Sequence, residues 1–172
     1  MNAGRQILKW IVVFMLSFTT FNLFLSGEVE SKIEIEASPE AVYNQIVNLQ
    51  NWQNWAIWWK EDTTLTTSFF SGSVIGEGSS MTWRGVKYNG SLKIIDCIDN
   101  KLIRYKVFLG NDSTMSSYAI WEFEEIDNGT YVSWRFQEKL PFFIRFMSFF
   151  VVPDLDLGLQ NLKKLCEEDG RI

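Results

Sequence analysis

The sequence of 172 residues contains no histidine. Histidine is the usual general acid or base near neutral pH and the commonest metal ligand among side chains. Its absence excludes every catalytic triad built on imidazole and every zinc site with a histidine ligand. Any catalysis would have to use carboxylates, phenols or other groups, and the sequence predicts no metal site, no cofactor and no recognisable catalytic residues.

Cysteine and runs of positive charge are also scarce. The two cysteines, Cys97 and Cys166, fit neither a zinc spacing nor a C-x-x-C redox motif. We interpret both as small residues in the core or near the surface, with a disulfide or a reactive site as the alternative. The net charge is −5 and no Lys/Arg run interleaves with the aromatic residues. Nucleic acid is therefore not an expected partner.

Aromatic residues, in contrast, are abundant, at 16% of the chain with eight Trp and fourteen Phe. Rings this large fill a core, line a cavity or lie at a membrane surface. The chain without its hydrophobic N-terminus is long enough to bury one sizeable core. We therefore expect an N-terminal segment over residues 1–27 and a single domain over residues 28–172.

Residues 7–25 form an apolar run interrupted by Lys9 and a few small polar residues. As a helix this run would be about 28 Å long, close to the roughly 30 Å hydrocarbon thickness of a bilayer. A retained single-pass anchor is the favoured prediction, because Phe24 and the next three residues offer no convincing cleavage site. Arg5 and Lys9 place the N-terminus in the cytoplasm and the domain outside it. The alternative is a cleaved signal peptide and a secreted or periplasmic domain.

The dipeptide Asn128-Gly129 predicts the register of a β-hairpin. It suits a two-residue turn with positive φ at both positions, between alternating runs over 118–126 and 130–137. One face of this hairpin is polar, and the other carries indole and phenyl rings that a helix or a curved sheet must cover. The facing pairs expected from this turn are Trp121 with Phe136, Phe123 with Trp134, Glu122 with Arg135 and Glu124 with Ser133.

The remaining segments alternate in period between strand and helix. The period of two predicts strands over residues 28–37, 65–71, 79–83, 92–98 and 102–109. A two-residue turn at Asp99-Asn100 would pair Ile94 with Tyr105 and Lys93 with Lys106. Ser38 and Pro39 start a helix that runs to about residue 49, and a tryptophan stripe continues it. Near the C-terminus, a Phe-rich helix over 142–152 is interrupted by Pro153. A leucine-striped helix follows, with Asp154 and Asp156 expected as N-terminal caps.

This order predicts an α+β fold in which a curved antiparallel sheet of six to seven strands grips a long C-terminal helix. The order and its local residues resemble the START-like helix-grip (SRPBCC) superfamily, and within it the polyketide cyclase/dehydrase and lipid-transport type. The resemblance covers about residues 29–168. Its motifs are IEASPEAVY at 35–43, Trp52 and Trp55, the GEG at 76–78 before a strand ending in Trp83, GTYVSW at 129–134 and GLQNLK at 158–163.

The resemblance implies a deep, mostly apolar cavity between the sheet and the C-terminal helix that binds lipids, sterols, polyketides or other hydrophobic molecules. It implies no single reaction, because the enzymatic members share no one catalytic set that maps onto this chain. The ligand-binding candidates, each of which would otherwise simply fill the core, are Trp59, Met81, Trp83, Ile94, Tyr105, Val107, Ala119, Trp121, Trp134, Phe136 and Phe146.

Three further features bear on function. Tyr105 would offer a phenol that donates to a ligand carbonyl from an apolar wall. Asp96, Glu125 and Glu138 have inward parity but lie near strand ends, so we interpret them as solvated rim residues. The Phe-rich segment over 142–152 is too short to span a bilayer. It is predicted to be a lid over the cavity or an interfacial element, with burial under loops as the alternative.

We therefore expect a membrane-tethered domain that binds a hydrophobic small molecule or lipid, with no prediction of its oligomeric state. One alternative is an enzyme of cyclase or dehydratase type that uses a cavity phenol and a carboxylate for proton transfer. Another is an interaction module whose cavity is filled by its own aromatic side chains.

Overall fold

The computed structural model describes residues 2–25, 28–70, 74–110, 116–137 and 142–169. In these ranges the helices α1 to α5 are Asn2–Leu23, Pro39–Val47, Trp52–Trp55, Ile57–Glu61 and Ser148–Asp169, and two 3-10 helices cover Leu49–Asn51 and Phe142–Met147. The strands β1 to β7 are Glu30–Ile35, Thr66–Phe70, Ser80–Arg84, Asn89–Ile98, Leu102–Leu109, Ser116–Ile126 and Gly129–Phe136.

The seven strands form one antiparallel sheet in the order β1-β7-β6-β5-β4-β3-β2. Helix α5 packs against one face of this sheet and buries Leu155, Leu159 and Leu162 there. The leucine stripe of α5 therefore covers the aromatic face of the β6–β7 hairpin, as the amphipathic pattern requires. The predicted α+β fold with a gripped C-terminal helix is confirmed.

Helix α2 starts where its sequence signals predict. Ser38 adopts extended backbone angles and its side chain accepts a hydrogen bond from the Ala41 N–H at 3.3 Å, while Pro39 occupies the first helical position. These residues satisfy or remove backbone donors that the first turn would otherwise leave unpaired. The helix ends at Val47, and a separate short helix then carries Trp52 and Trp55 into the core.

The register of the β6–β7 hairpin differs from the prediction by two residues. Trp121 pairs with Trp134 and Phe123 with Val132, because the turn residues are Asp127 and Asn128, neither of which has a positive φ. The shift is an even number, so each side chain keeps its predicted face. Glu122 now lies opposite Ser133, yet the guanidinium of Arg135 reaches it diagonally, with Nε 3.2 Å from Oε2.

Gly129 explains why the turn lies one residue earlier. Its φ is +149°, and a Cβ built there would lie 2.1 Å from the carbonyl oxygen of Ile35. Position 129 lies within β7 and requires glycine because its backbone passes close to β1. The turn itself does not require glycine.

The β4–β5 hairpin has the predicted pairs, including Ile94 with Tyr105 and Lys93 with Lys106. Its turn covers residues 99–101 instead of the predicted 99–100, since Ile98 pairs with Leu102. Within the turn, Asn100 takes a left-handed φ of 59°. A register irregularity between Ile94 and Asp96 compensates for the extra turn residue.

Pro153 does not interrupt the C-terminal helix, contrary to prediction. Helix α5 already begins at Ser148, whose hydroxyl donates to the carbonyl of Arg145 at 2.8 Å, and it continues through the proline. The continuous helix packs Val151 and Val152 against the core, which offsets the missing proline N–H. The capping assignment is therefore wrong: Asp154 lies inside the helix, and Asp156 accepts a hydrogen bond from Ser31.

A comparison of two glycines tests the close approach at Gly129. Gly76 also has a positive φ, +79°, but a Cβ there meets nothing within 4 Å. Gly76→Ala should therefore cost only about 1–2 kcal/mol of left-handed backbone strain. Gly129→Ala should cost about 3–5 kcal/mol, because backbone strain adds to a clash with fixed backbone. Urea denaturation measures both, and equal costs would contradict the proposed contact with β1.

Candidate ligand-binding cavity

A layer of four buried tryptophans lies between the sheet and α5. Trp121 and Trp134 stack with ring centroids 4.3 Å apart, and Trp52 meets both rings edge-on at 6.4 Å. Trp55 also approaches both rings edge-on. The indole N–H groups of Trp52 and Trp55 donate to carbonyls of α2, at 2.8 and 3.2 Å. Pairing these buried donors holds the rings in fixed orientations.

Beside this layer lies a cavity of about 280 Å³ between the sheet and α5. Most of its wall is apolar, and its polar groups come from the β3–β4 connection with the start of β4, from Tyr105 on β5 and from α5. The lining residues on the sheet side and the short helices are Trp52, Trp58, Trp83, Lys87, Tyr88, Asn89, Leu92, Tyr105, Val107, Gly110 and Phe136, and those on α5 are Val151, Asp154 and Leu155. An apolar cleft with a few polar groups is the usual form of a small-molecule site.

Tyr105 is the buried polar group in the sheet wall. Its hydroxyl accepts a hydrogen bond from the Trp134 indole N–H at 2.7 Å. Burial raises the pKa of Tyr105 well above its ordinary value, and the nearby indoles of Trp134 and Trp121 only partly oppose this shift. The Trp121 N–H is itself buried and has no hydrogen-bond partner among the described residues. The phenol therefore stays neutral and retains a proton that it can donate.

Asp62 organises the loop that forms one side of the cavity mouth. It is 4% exposed and accepts hydrogen bonds from the backbone N–H groups of Lys87 at 2.7 Å, Tyr88 at 3.3 Å and Thr64 at 3.1 Å. The Thr64 hydroxyl bond, followed by these backbone bonds, lowers the pKa of Asp62 to about 2. Asp62 therefore fixes the segment at Lys87 and Tyr88 against the end of α4 through hydrogen bonds between residues that are distant in sequence.

Two more acidic residues lie around the mouth. The Tyr88 hydroxyl donates to Glu61 Oε2 at 2.7 Å, and this hydrogen bond together with burial raises the pKa of Tyr88 to about 12. Asp154 on α5 is half-buried, and burial, assisted by the negative charge of Glu61, raises the pKa of its carboxyl. Asp154 is therefore a carboxyl group in the cavity wall that binds its proton more tightly than an ordinary aspartate does.

The structure places the predicted site residues in three groups. Four of them line the cavity: Trp83, Tyr105, Val107 and Phe136. Five are buried in the core beside it without lining it: Met81, Ile94, Ala119, Trp121 and Trp134. The remaining two pack elsewhere: Trp59 lies against Trp83 and donates to Thr67 at 3.0 Å, while Phe146 lies 5.8 Å from the ring of Phe18 in α1.

Most of the polar lining residues were missed by sequence reasoning. The alternation of side chains along a strand identifies which residues face inward. It does not show at which position along the strand a cavity lies between the helix and the sheet. Lys87 and Asn89 lie in or beside a turn, where no periodic signal exists, and Asp154 was assigned to a cap. The leucine stripe did place Leu155 on the inward face.

The other acidic candidates lie away from the cavity. Asp96 pairs with Arg104, with Oδ2 3.0 Å from Nη1, and both side chains are more than one-third exposed. Glu125 is exposed. Both are solvated, as predicted, and Glu138 lies outside the described residues. Within the described ranges, no group of three or more acidic or cysteine side chains is arranged to hold a metal ion.

The family described as polyketide cyclase / dehydrase and lipid transport matches residues 26–167. The chain belongs to this family. The match covers the sheet, the cavity and nearly all of α5, whereas α1 precedes it. No curated protein sequence matches the chain.

Solved structures share the fold at low sequence identity. The Aha1 dimer from Colwellia psychrerythraea is 20% identical with a TM-score of 0.63, and the match covers 81% of this chain and 96% of that one. MLL2253 from Mesorhizobium loti is 12% identical with a TM-score of 0.63, covering 84% and 98%. NE0264 from Nitrosomonas europaea is 11% identical with a TM-score of 0.61, covering 83% and 95%. At these identities the similarity concerns the fold alone.

The role of Asp62 is testable by acid titration. Its pKa in the folded protein, about 2, lies below the ordinary value of about 3.9. The stabilisation is therefore fully present above pH 4 and is lost as the pH falls from about 4 towards 2. Asp62→Asn should lower the melting temperature at pH 7 and flatten its decline between pH 4 and 2. Asp127→Asn, at an exposed residue of the β6–β7 turn, is the control and should leave the profile unchanged. An unaltered profile in Asp62→Asn would contradict the assignment.

Proposed function

We propose that this protein binds a hydrophobic small molecule or a lipid in the cavity between the sheet and α5. The observation that carries the proposal is an apolar cavity with one neutral, fully buried phenol, Tyr105, in its wall. Apolar area provides the affinity in such a site, and a few placed polar groups orient the ligand. The family membership supports this ligand class.

The cavity volume limits the ligand. At about 280 Å³ it lies at the lower end of the roughly 300–1,000 Å³ range of small-molecule pockets. We therefore expect the enclosed part of the ligand to be no larger than a medium-length acyl chain or a bicyclic ring system. A complete two-chain phospholipid does not fit inside. A carbonyl or ether oxygen on the enclosed part would accept the proton of the Tyr105 hydroxyl.

Membrane tethering is part of the proposal and rests on α1. Residues Ala3–Leu23 are long and apolar enough to cross a bilayer, and only 6% of an apolar 18-residue window within them is buried, unlike the core helix of a soluble domain. Exposed apolar side chains such as Trp10 and Phe14 would be covered by lipid. We infer a retained anchor with the N-terminus cytoplasmic and the domain extracytoplasmic, since Arg5 and Lys9 precede the span. Cleavage after α1 would release the same domain instead.

Asp154 favours a second candidate function, an enzyme of cyclase or dehydratase type. This half-buried carboxyl, with its raised pKa, lines the same cavity as Tyr105. A carboxyl and a neutral phenol in one apolar site can remove a proton beside a carbonyl and stabilise the resulting oxygen. The presence of the cavity argues against the third possibility, an interaction module with a filled core.

The probe 2-acetylnaphthalene tests binding because it pairs a bicyclic ring with one carbonyl acceptor. Calorimetric titration into the full chain in nanodiscs, corrected with empty nanodiscs, should show saturable binding. Tyr105→Phe should weaken it about fivefold, since a neutral hydrogen bond contributes about 1 kcal/mol. Affinity for 2-ethylnaphthalene, which lacks the acceptor, should stay the same in this variant. An equal loss for both probes would contradict the hydrogen bond.

A matched pair of α5 substitutions locates the binding. Val151 lines the cavity, whereas Leu157 on the same helix is 48% exposed and lies outside it. Val151→Trp should fill the cavity and abolish titratable binding, while Leu157→Trp should leave it intact. Binding that survives Val151→Trp would place the ligand elsewhere.

The second candidate function has its own readout with the same probe. A carboxyl base beside Tyr105 would accelerate exchange of the acetyl protons of 2-acetylnaphthalene for deuterium in D2O, which NMR follows directly. The enzyme hypothesis predicts exchange above the rate with empty nanodiscs and its loss in Asp154→Asn. Exchange at the uncatalysed rate would contradict the enzyme hypothesis and leave the binding proposal intact.

A further inference from the structure

We propose that the cavity mouth opens onto the outer leaflet of the membrane that α1 spans, and that the ligand enters from the bilayer as a single acyl chain or a similar amphiphile. This inference rests on the proposed binding function and on the proposed anchor. It adds the source of the ligand and the element that controls its entry.

The Phe142–Met147 segment and the start of α5 dock on the C-terminal half of α1. Phe18 meets Phe146 edge-on with centroids 5.8 Å apart, and Phe21 stacks on Phe149 at 6.1 Å. Arg145 Nη1 also donates to the carbonyl of Leu25 at 3.1 Å. Two ring contacts and one charged hydrogen bond fix the segment beside the helix.

The position of these contacts along α1 gives their depth. The candidate span ends at Leu23, and Phe18 lies five residues earlier, which is about 7.5 Å along the helix axis. If α1 crosses the bilayer, Phe146 must lie at about this depth in the leaflet. Interfacial amphipathic elements insert their apolar side chains about 5–10 Å. The domain therefore cannot be attached to α1 in this way without placing its phenylalanine segment in lipid.

Exposed phenylalanines around the contact agree with this placement. Phe149 is 57% exposed and stacks on Phe21, which is 48% exposed on α1; Phe142 is 37% exposed, and Phe24, just after α1, is 84% exposed. This apolar surface is continuous with the candidate membrane span. A bilayer covers both sides of the contact at once, which identifies lipid as the occupant of this surface.

Two independent observations place the cavity next to the contact between α1 and the phenylalanine segment. Val151, which lines the cavity, follows Phe149 by two residues in α5. Phe136, which also lines it, donates its backbone N–H to the carbonyl of Val29 at 2.9 Å. Val29 is four residues after Leu25, a distance of at most about 14 Å along an extended chain. The cavity is therefore at the membrane end of the domain.

The opposite end of the domain provides an internal control. Asn128 in the β6–β7 turn is exposed and lies at the other end of the hairpin from Phe136. Eight residues of β-strand separate the two positions, or about 26 Å. A membrane contact at the cavity end therefore predicts that this turn remains in water.

Photocrosslinking in the full chain tests the inference. The chain is reconstituted in dioleoylphosphatidylcholine vesicles that contain a phosphatidylcholine with a diazirine in one acyl chain, and peptide mass mapping after illumination compares the lipid adducts at Val151 with those at Asn128. We expect a lipid adduct at position 151 at least about tenfold stronger than at position 128, because only the first would face acyl chains. Adding Phe149→Asp should reduce the adduct at 151 at least about fivefold, since the Phe21–Phe149 ring contact is replaced by a charge. Adding Leu157→Asp, also on exposed α5 surface, should not.

The outcomes separate this inference from the proposed function. Equal adducts at positions 151 and 128, or no adduct at 151, would overturn entry from the bilayer. An adduct at 151 that is insensitive to Phe149→Asp would overturn the role of the docked segment. Titration of the Phe149→Asp and Leu157→Asp proteins with 2-acetylnaphthalene reports cavity binding separately, so lipid adducts can be lost while that binding persists.

Discussion

The stacked pair Trp121 and Trp134, with Trp52 and Trp55 edge-on against it, is the contact on which the rest of the domain depends. The stacked indoles of Trp121 and Trp134 form a rigid layer on the sheet. The short helix α3 packs Trp52 and Trp55 against this layer. Helix α5 packs over this layer, and a Cβ added at Gly158 would lie in ordinary contact with the ring of Trp134, at 3.5 Å. Where the layer ends towards the N-terminus of α5, the helix and the sheet separate and enclose the cavity.

The same layer determines the chemistry of the cavity wall. An indole N–H is only a donor, so the Trp134 bond uses acceptor capacity of the Tyr105 hydroxyl and leaves its proton available. Burial keeps that proton on the oxygen by raising the pKa. This arrangement supports the proposal that the cavity binds an apolar ligand with one oxygen acceptor, while Asp62 holds the loop with Lys87 and Tyr88 at the mouth.

The sequence predicted the elements of this fold better than their exact pairing. Period-two patterns identified the inward face of each strand, and Ser38-Pro39 identified the start of α2, because these signals are local. The β6–β7 register failed because Gly129 is required by its contact with β1, which is distant in sequence. The cavity depends on where α5 leaves the sheet, a tertiary property, so parity found Tyr105 and Val107 but not Asp154 or Val151.

A hydrophobic ligand bound in the cavity beside the tryptophan layer should shift the indole N–H signals of the cavity wall. These signals are recorded from the full chain, with 15N-labelled tryptophan, during titration with 2-acetylnaphthalene. We expect shifts for the cavity residues Trp52, Trp58 and Trp83 and none for Trp10, which is 71% exposed on α1. A shift confined to Trp10, or uniform small shifts of every indole, would contradict binding in the cavity.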